Sequence, residues 1–97
     1  MIVQTIYAVV DKEEDYNVAY FISEKSAYDY IKHMMLVTFG EELDNATYMD
    51  DAESQEIINE DIICLKSKHS IEEIKEFVDN YYDVYSGYCV DKIYVED

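Results

Sequence analysis

The chain has 97 residues, with 23 Asp or Glu against 7 Lys and no Arg, a formal net charge of −16. Apolar and aromatic residues make up 49% of it, too many for a plain acidic disordered tail. The lack of clustered cations excludes a surface that binds nucleic acid directly, and an anionic membrane repels such a chain.

Its length predicts one domain, residues 1–97, with a modest core. Ile2 to Val10 is nearly all apolar or β-branched and reads as a central strand. Asp11 to Asp15 reads as a charged turn, and Tyr16 to Ile22 as the hairpin partner of the first strand. Ser23 suits an N-cap, opening a helix to about Phe39 with Gly40 just past its end. Ala27, Tyr30, Ile31, Met34 and Thr38 form its apolar face. The run Met34 to Phe39 is apolar almost all round, which predicts burial against a neighbouring segment or a second subunit. Glu41 to Asp61 carries nine acids and no Lys, and reads as an acidic loop with a short helix around Asp51 to Ile58. Tyr48, Met49, Ile57 and Ile58 could tack it down. Ile62 to Ser67 reads as a short strand. Ser70-Ile71-Glu72-Glu73 is a capping box that starts a helix to about Tyr85, ended by Gly87. Tyr88 to Glu96 is the closing strand. The predicted fold class is α+β, order β-β-α-(acidic segment)-β-α-β, an antiparallel sheet with helices packed on one face.

Two acidic constellations stand out as a partner-binding surface. On the second predicted helix Glu72, Glu76, Asp79 and Asp83 stand at i, i+4, i+7 and i+11, opposite Ile71, Ile74, Val78, Tyr81 and Tyr85. The stripe rises in steps of about 6, 4.5 and 6 Å. Like charges at that spacing cost helix stability, and Asp79 and Asp83 stand toward the negative end of the helix dipole. The second constellation is Glu41, Glu42, Asp44, Asp50, Asp51 and Glu53, with Tyr48 among them. The bland alternative for both is a solvated acidic surface. The acids lack the central Gly and terminal Glu of a calcium loop, so no metal is expected. Eleven Tyr is a high count. Tyr7, Tyr81, Tyr85 and Tyr94 read as packed, whereas Tyr16, Tyr28, Tyr48, Tyr82 and Tyr88 are candidates for exposure, where a ring beside an acid suits an interface.

Catalytic signatures are missing: His33 and His69 have no nucleophile at motif spacing, and no phosphate-binding Gly loop, GxSxG, HExxH or CxxC is present. The expectation is a non-enzyme without a cofactor. Cys64 and Cys89 fall on predicted strands and read as reduced, buried thiols of a cytoplasmic protein. Met34 to Val37 is far too short to span a bilayer, and no basic segment precedes the first apolar stretch as in a signal peptide.

By its size, its charge, the Glu72–Asp83 stripe and the Glu41–Asp61 run, the chain resembles the small acidic inhibitors of phages and mobile elements, including DNA-mimicking anti-restriction and anti-CRISPR proteins. The stretch Tyr7 to Ile31 also resembles short phage-type proteins. The resemblance implies occlusion of the nucleic-acid-binding groove of a basic protein, such as a defence nuclease, in the host cytoplasm if the gene belongs to a phage. Two alternatives stay open: an immunity or antitoxin-like protein that neutralises a basic toxin, and a regulatory module that dimerises through Met34 to Phe39.

Overall fold

A computed structural model of the chain describes residues 3–11, 16–80 and 88–96, with the backbone alone for Val3, Tyr16 and Asn17. The β-branched and aromatic N-terminal stretch forms β1 (Val3–Asp11), the centre of an antiparallel sheet. It is flanked by β2 (Tyr16–Phe21) and β3 (Tyr88–Glu96), in the order β2-β1-β3. The β1–β3 register runs unbroken from Val3↔Glu96 to Asp11↔Tyr88. The β1–β2 register shifts between Val9 and Val10. Side chains alternate across a strand, so Tyr7, Val9, Phe21, Tyr88 and Val90 share the face that joins the core. Ile6, Ala8, Ile93 and Val95 belong to the other face.

Three helices connect β2 to β3: α1 (Glu24–Tyr48), α2 (Ala52–Lys66) and α3 (Ile71–Asn80). Ser23 caps α1 by accepting from the Ser26 N–H at 3.0 Å. The capping box of α3 forms as expected, with the Glu73 N–H donating to Ser70 Oγ at 3.1 Å and the Ser70 N–H to Glu73 Oε1 at 3.2 Å. α1 packs on all three strands and also carries both other helices. Tyr30 meets Phe21 with ring centroids 5.3 Å apart, and Phe39 meets Phe77 edge-on at 6.3 Å. The core joins Val9, Ala27, Ile31, Met35, Phe39, Leu65 and Ile74.

The α+β class and the antiparallel sheet agree with the sequence, but the element order is β-β-α-α-α-β. The expected strand at Ile62 to Ser67 is the end of α2 and its cap. Four apolar residues in a row fit a buried strand or a buried helix equally well. Ile58, Ile62 and Leu65 recur at i, i+4 and i+7, and that helical stripe settles on α1. The short helix expected around Asp51 to Ile58 is present as the first half of α2, but the rest of the expected acidic loop is also helical except for one turn. Glu41 to Tyr48 extends α1 straight through Gly40, because Glu41, Glu42 and Leu43 are strong helix formers and no Pro intervenes. α2 covers the rest.

The buried stripe of α1 is Ala27, Ile31, Met35, Phe39 and Ala46, rotated from the expected one. Met34 and Thr38 are half-buried beside it, and Thr38 Oγ1 donates to the Met34 carbonyl at 3.1 Å. Met35 and Phe39 are consumed by contacts within the chain, which removes them from the dimer surface considered for Met34 to Phe39. Cys64 is exposed on α2 and Cys89 is half-buried on β3; neither is in a disulfide, and the buried-thiol expectation fails for Cys64, whose strand is a helix. The expected turn residues 12–15, Ile2, Tyr81, Tyr82, Asp83, Tyr85 and the helix end at Gly87 lie outside the described residues. No helix among the described residues is long and apolar enough to cross a membrane.

Candidate functional site

The acidic stretch becomes an antiparallel pair of helices. Its turn is built by local hydrogen bonds. The Asp51 N–H donates to the Ala46 carbonyl at 2.9 Å and the Asp50 N–H to the Thr47 carbonyl at 3.1 Å. Those two bonds close a Schellman motif, with Asp50 in the left-handed position at φ 55° where Gly is usual. Asp51 then caps α2: its carboxylate accepts from the Ser54 N–H at 3.1 Å and from the Ser54 hydroxyl at 2.7 Å. The Ser54 hydroxyl and N–H hold the Asp51 carboxyl below its ordinary range. At the other end of α2, the Lys32 ammonium donates to the carbonyls of Lys66 and Lys68, which ties the helix end to α1 at its favourable, negative pole.

The consequence is a division of charge along the molecule, whose extents are 59 × 27 × 18 Å. Residues 33–65, the paired halves of α1 and α2, hold nine acids and no Lys, and so account for nine of the sixteen net negative charges. Lys32, Lys66, Lys68 and Lys75 gather instead at the end of α2 and on α3. On α1, Glu41, Asp44 and Tyr48 are all exposed at i, i+3 and i+7, one helical face. Asp50 and Asp51 are exposed in the turn, and Glu53 is exposed in the first turn of α2. Glu42 is half-buried, beside a groove of about 490 Å³ lined also by Ala46, Met49, Asp51, Ile57 and Ile58. The fold therefore brings Glu41, Glu42, Asp44, Tyr48, Asp50, Asp51 and Glu53 together at one end of the arm.

Glu56 and Glu60 join this surface without having been singled out. With Glu53 they form an exposed i, i+3, i+7 face on α2. That is the same periodic signal used for α3, cut short because the helix was expected to end near Ile58, before Glu60. Of the four residues expected to tack the stretch down, only Ile58 is buried. Tyr48 is 88% exposed, Met49 67% and Ile57 51%, so an apolar patch sits among the acids at the tip.

The α3 stripe lies apart from the tip. Glu72, Glu76 and Asp79 are exposed as expected, opposite buried Ile74, Phe77 and Val78, while Asp83 lies outside the described residues. Phe77 places α3 against the middle of α1. Asp79 shares a small cavity with Tyr28 and Lys75, and Glu76 another with Lys68. Lysines thus interleave this second acidic group, whereas none of the described lysines enters the first. Burial, with the negative charges of Glu24 and Asp79, raises the Tyr28 hydroxyl above its ordinary pKa. Tyr28 and Tyr88 are half-buried rather than open, and Tyr94, expected to be packed, is 64% exposed. Its strand is an edge, and nothing among the described helices covers that ring.

Among the described residues no three His, Cys, Asp or Glu side chains converge as a metal-ligand set. No protein-family model matches the chain, and no curated protein or solved structure matches it.

Proposed function

We propose that this protein is a non-enzymatic inhibitor that lays its acidic α1–α2 arm into the basic, nucleic-acid-binding cleft of another protein, a defence nuclease being the type of target. The observation that carries this reading is the stretch of 33 residues, 33–65, with nine carboxylates and no lysine, folded into one arm. Successive carboxylates on one helical face stand about 4.5–6 Å apart along the axis, a spacing comparable to that of phosphates along a nucleic-acid strand. Each can accept a charge-assisted bond from Arg or Lys. Tyr48, Met49 and Ile57 supply exposed apolar area beside those charges, the combination that gives interfaces their strongest contacts. Electrostatic steering makes such association fast and salt-sensitive. A basic toxin nuclease presents the same chemistry as a defence nuclease, so an immunity role differs in the partner and not in the mechanism.

The test is a set of grouped neutralisations. Protein immobilised from the natural host background should retain a basic, nucleic-acid-binding protein that added DNA displaces. Replacing Glu41, Asp44, Glu53 and Glu56 together by Gln or Asn should weaken that retention by roughly tenfold or more, while circular dichroism stays unchanged. Replacing Glu72, Glu76 and Asp79 should weaken it less. Retention that ignores both added DNA and the arm substitutions would overturn the proposal.

A further inference from the structure

The acidic arm leaves the outer edge of β3 unexplained. Among the described residues β3 pairs with β1 alone, and no described strand lies along the outer edge of its second half, Lys92 to Glu96. Proteins usually blunt such an edge by shortening, bulging or interrupting the strand. β2, the opposite edge, is six residues long and its pairing is irregular. β3 is nine residues long, without Pro, in unbroken register with β1. Tyr94 and Val95 on it are 64% and 41% exposed.

From this edge we infer that two copies of the chain join through antiparallel pairing of β3 with β3, centred on Tyr94, into one six-stranded sheet. A two-fold axis normal to the sheet leaves every side chain on its own face. Opposed residues of an antiparallel pair share a face, so the axis must pass through a residue that meets its own copy. Centring on Asp91 or Lys92 sets like charges together. Centring on Val90 or Ile93 sets charged side chains against uncharged ones. Centring on Tyr94 opposes Tyr94 to Tyr94, Ile93 to Val95 twice, and Lys92 to Glu96 of the second copy twice. Aromatic, aliphatic and opposite-charge pairs are the favourable cross-strand combinations. The pairing spans Lys92 to Glu96, the last residue of β3.

The same register continues an apolar strip on the face away from α1. Ile93 is the β1–β3 partner of Ile6, and the Val95 of the second copy would extend that row. β3 carries only Asp91, Lys92 and Glu96 as charged residues, so it is a place where two chains of net charge −16 can approach. The Lys92 ammonium already lies 6.0 Å from the Tyr94 ring centre and 5.9 Å from that of Tyr7, on the helix-side face that Glu96 shares by alternation.

Sedimentation velocity of the purified full chain at about 0.15 M salt, where the Debye length is about 8 Å, reads the result. A species of twice the 11.5 kDa chain mass is expected. Lys92→Glu and Glu96→Lys should each weaken it by roughly tenfold or more, and the two together should restore it. Glu96→Lys leaves the Lys92–Tyr7 contact in place, and circular dichroism checks that both variants are folded. A monomer at every concentration, a dimer indifferent to the single reversals, or no rescue by the double variant would overturn the inference. The arm neutralisations should leave the dimer intact, so loss of partner retention bears on the inhibitor reading alone.

Discussion

Asp50 occupies a backbone conformation that costs most L-residues about 1–2 kcal/mol and that Asp tolerates better than most. It ends α1 where the fold needs a reversal, and it places a carboxylate at the tip of the arm. Replacing it by Gly relieves the strain and removes the charge. The expected outcome of Asp50→Gly is a gain of about 1 kcal/mol in urea unfolding together with weaker partner retention, two effects of opposite benefit that a purely structural acid would not show. Asp51 and Glu73 act differently, since hydrogen bonds at helix starts hold both carboxyls below their ordinary pKa values of 3.8 and 4.5. Their folded-state pKa values lie below the unfolded ones. The stabilisation is therefore complete above the unfolded values and fades as pH falls through the depressed folded ones. Unfolding measured between about pH 6 and 2.5 should show a smaller acid loss for Asp51→Asn and Glu73→Gln than for the unaltered chain. The Ser70–Glu73 box was legible from four letters because its bonds are local. A short helix near Asp51 was legible too, but the cap itself was not singled out, because Asp50 and Asp51 stand side by side and only the turn after α1 decides which of them caps α2.

α1 is the element on which the rest assembles, and its length decides the shape of the molecule. Twenty-five residues make a rod of about 37 Å, longer than the sheet needs, and the excess becomes one side of the arm. Gly40 sits within that rod. A Cβ added there meets no heavy atom within 4 Å, and its φ is not positive. Gly40→Ala should therefore raise stability by about 0.5–1 kcal/mol through helix propensity alone, read as a higher urea midpoint with unchanged slope; a loss would mean that α1 bends or breaks at Gly40. Gly40 looked like a helix end because Gly commonly follows one. What overrides that preference is non-local: Ala46 and Ile58 are buried where the extended α1 meets α2. The same contact converts Ile62 to Leu65 from an apparent strand into a helix. In contrast α3 was read correctly over its described length, since its apolar and acidic faces are cleanly separated by the 3.6-residue period.

For the whole molecule the governing quantity is the surplus of negative charge and where it lies. Carboxylates on the two helices of one arm repel each other in the folded state, and salt screens that repulsion. Stability should rise by about 1 kcal/mol as salt goes from about 0.02 to 0.2 M, and the variant with Glu41, Asp44, Glu53 and Glu56 neutralised should be more stable at low salt and respond less. An unchanged salt response would mean that the arm's acids do not feel one another. The α+β class, the three strands that form the sheet, the caps of α1 and α3 and the acidic bias of residues 41–61 follow from the order of the amino acids alone, because composition, alternation and capping act over a few neighbours. Tertiary structure decided that Glu41 to Tyr48 continues α1, that the short helix expected around Asp51 to Ile58 runs on to Lys66 and aligns Glu60 with Glu53 and Glu56, that the described lysines collect away from the tip, and that the Glu72–Asp79 stripe stands apart from it. Those outcomes depend on apolar residues meeting across the chain, as Phe39 meets Phe77 and as Leu65 is buried in the shared core, and the periodicity of a segment marks its buried face without naming the distant segment that will cover it.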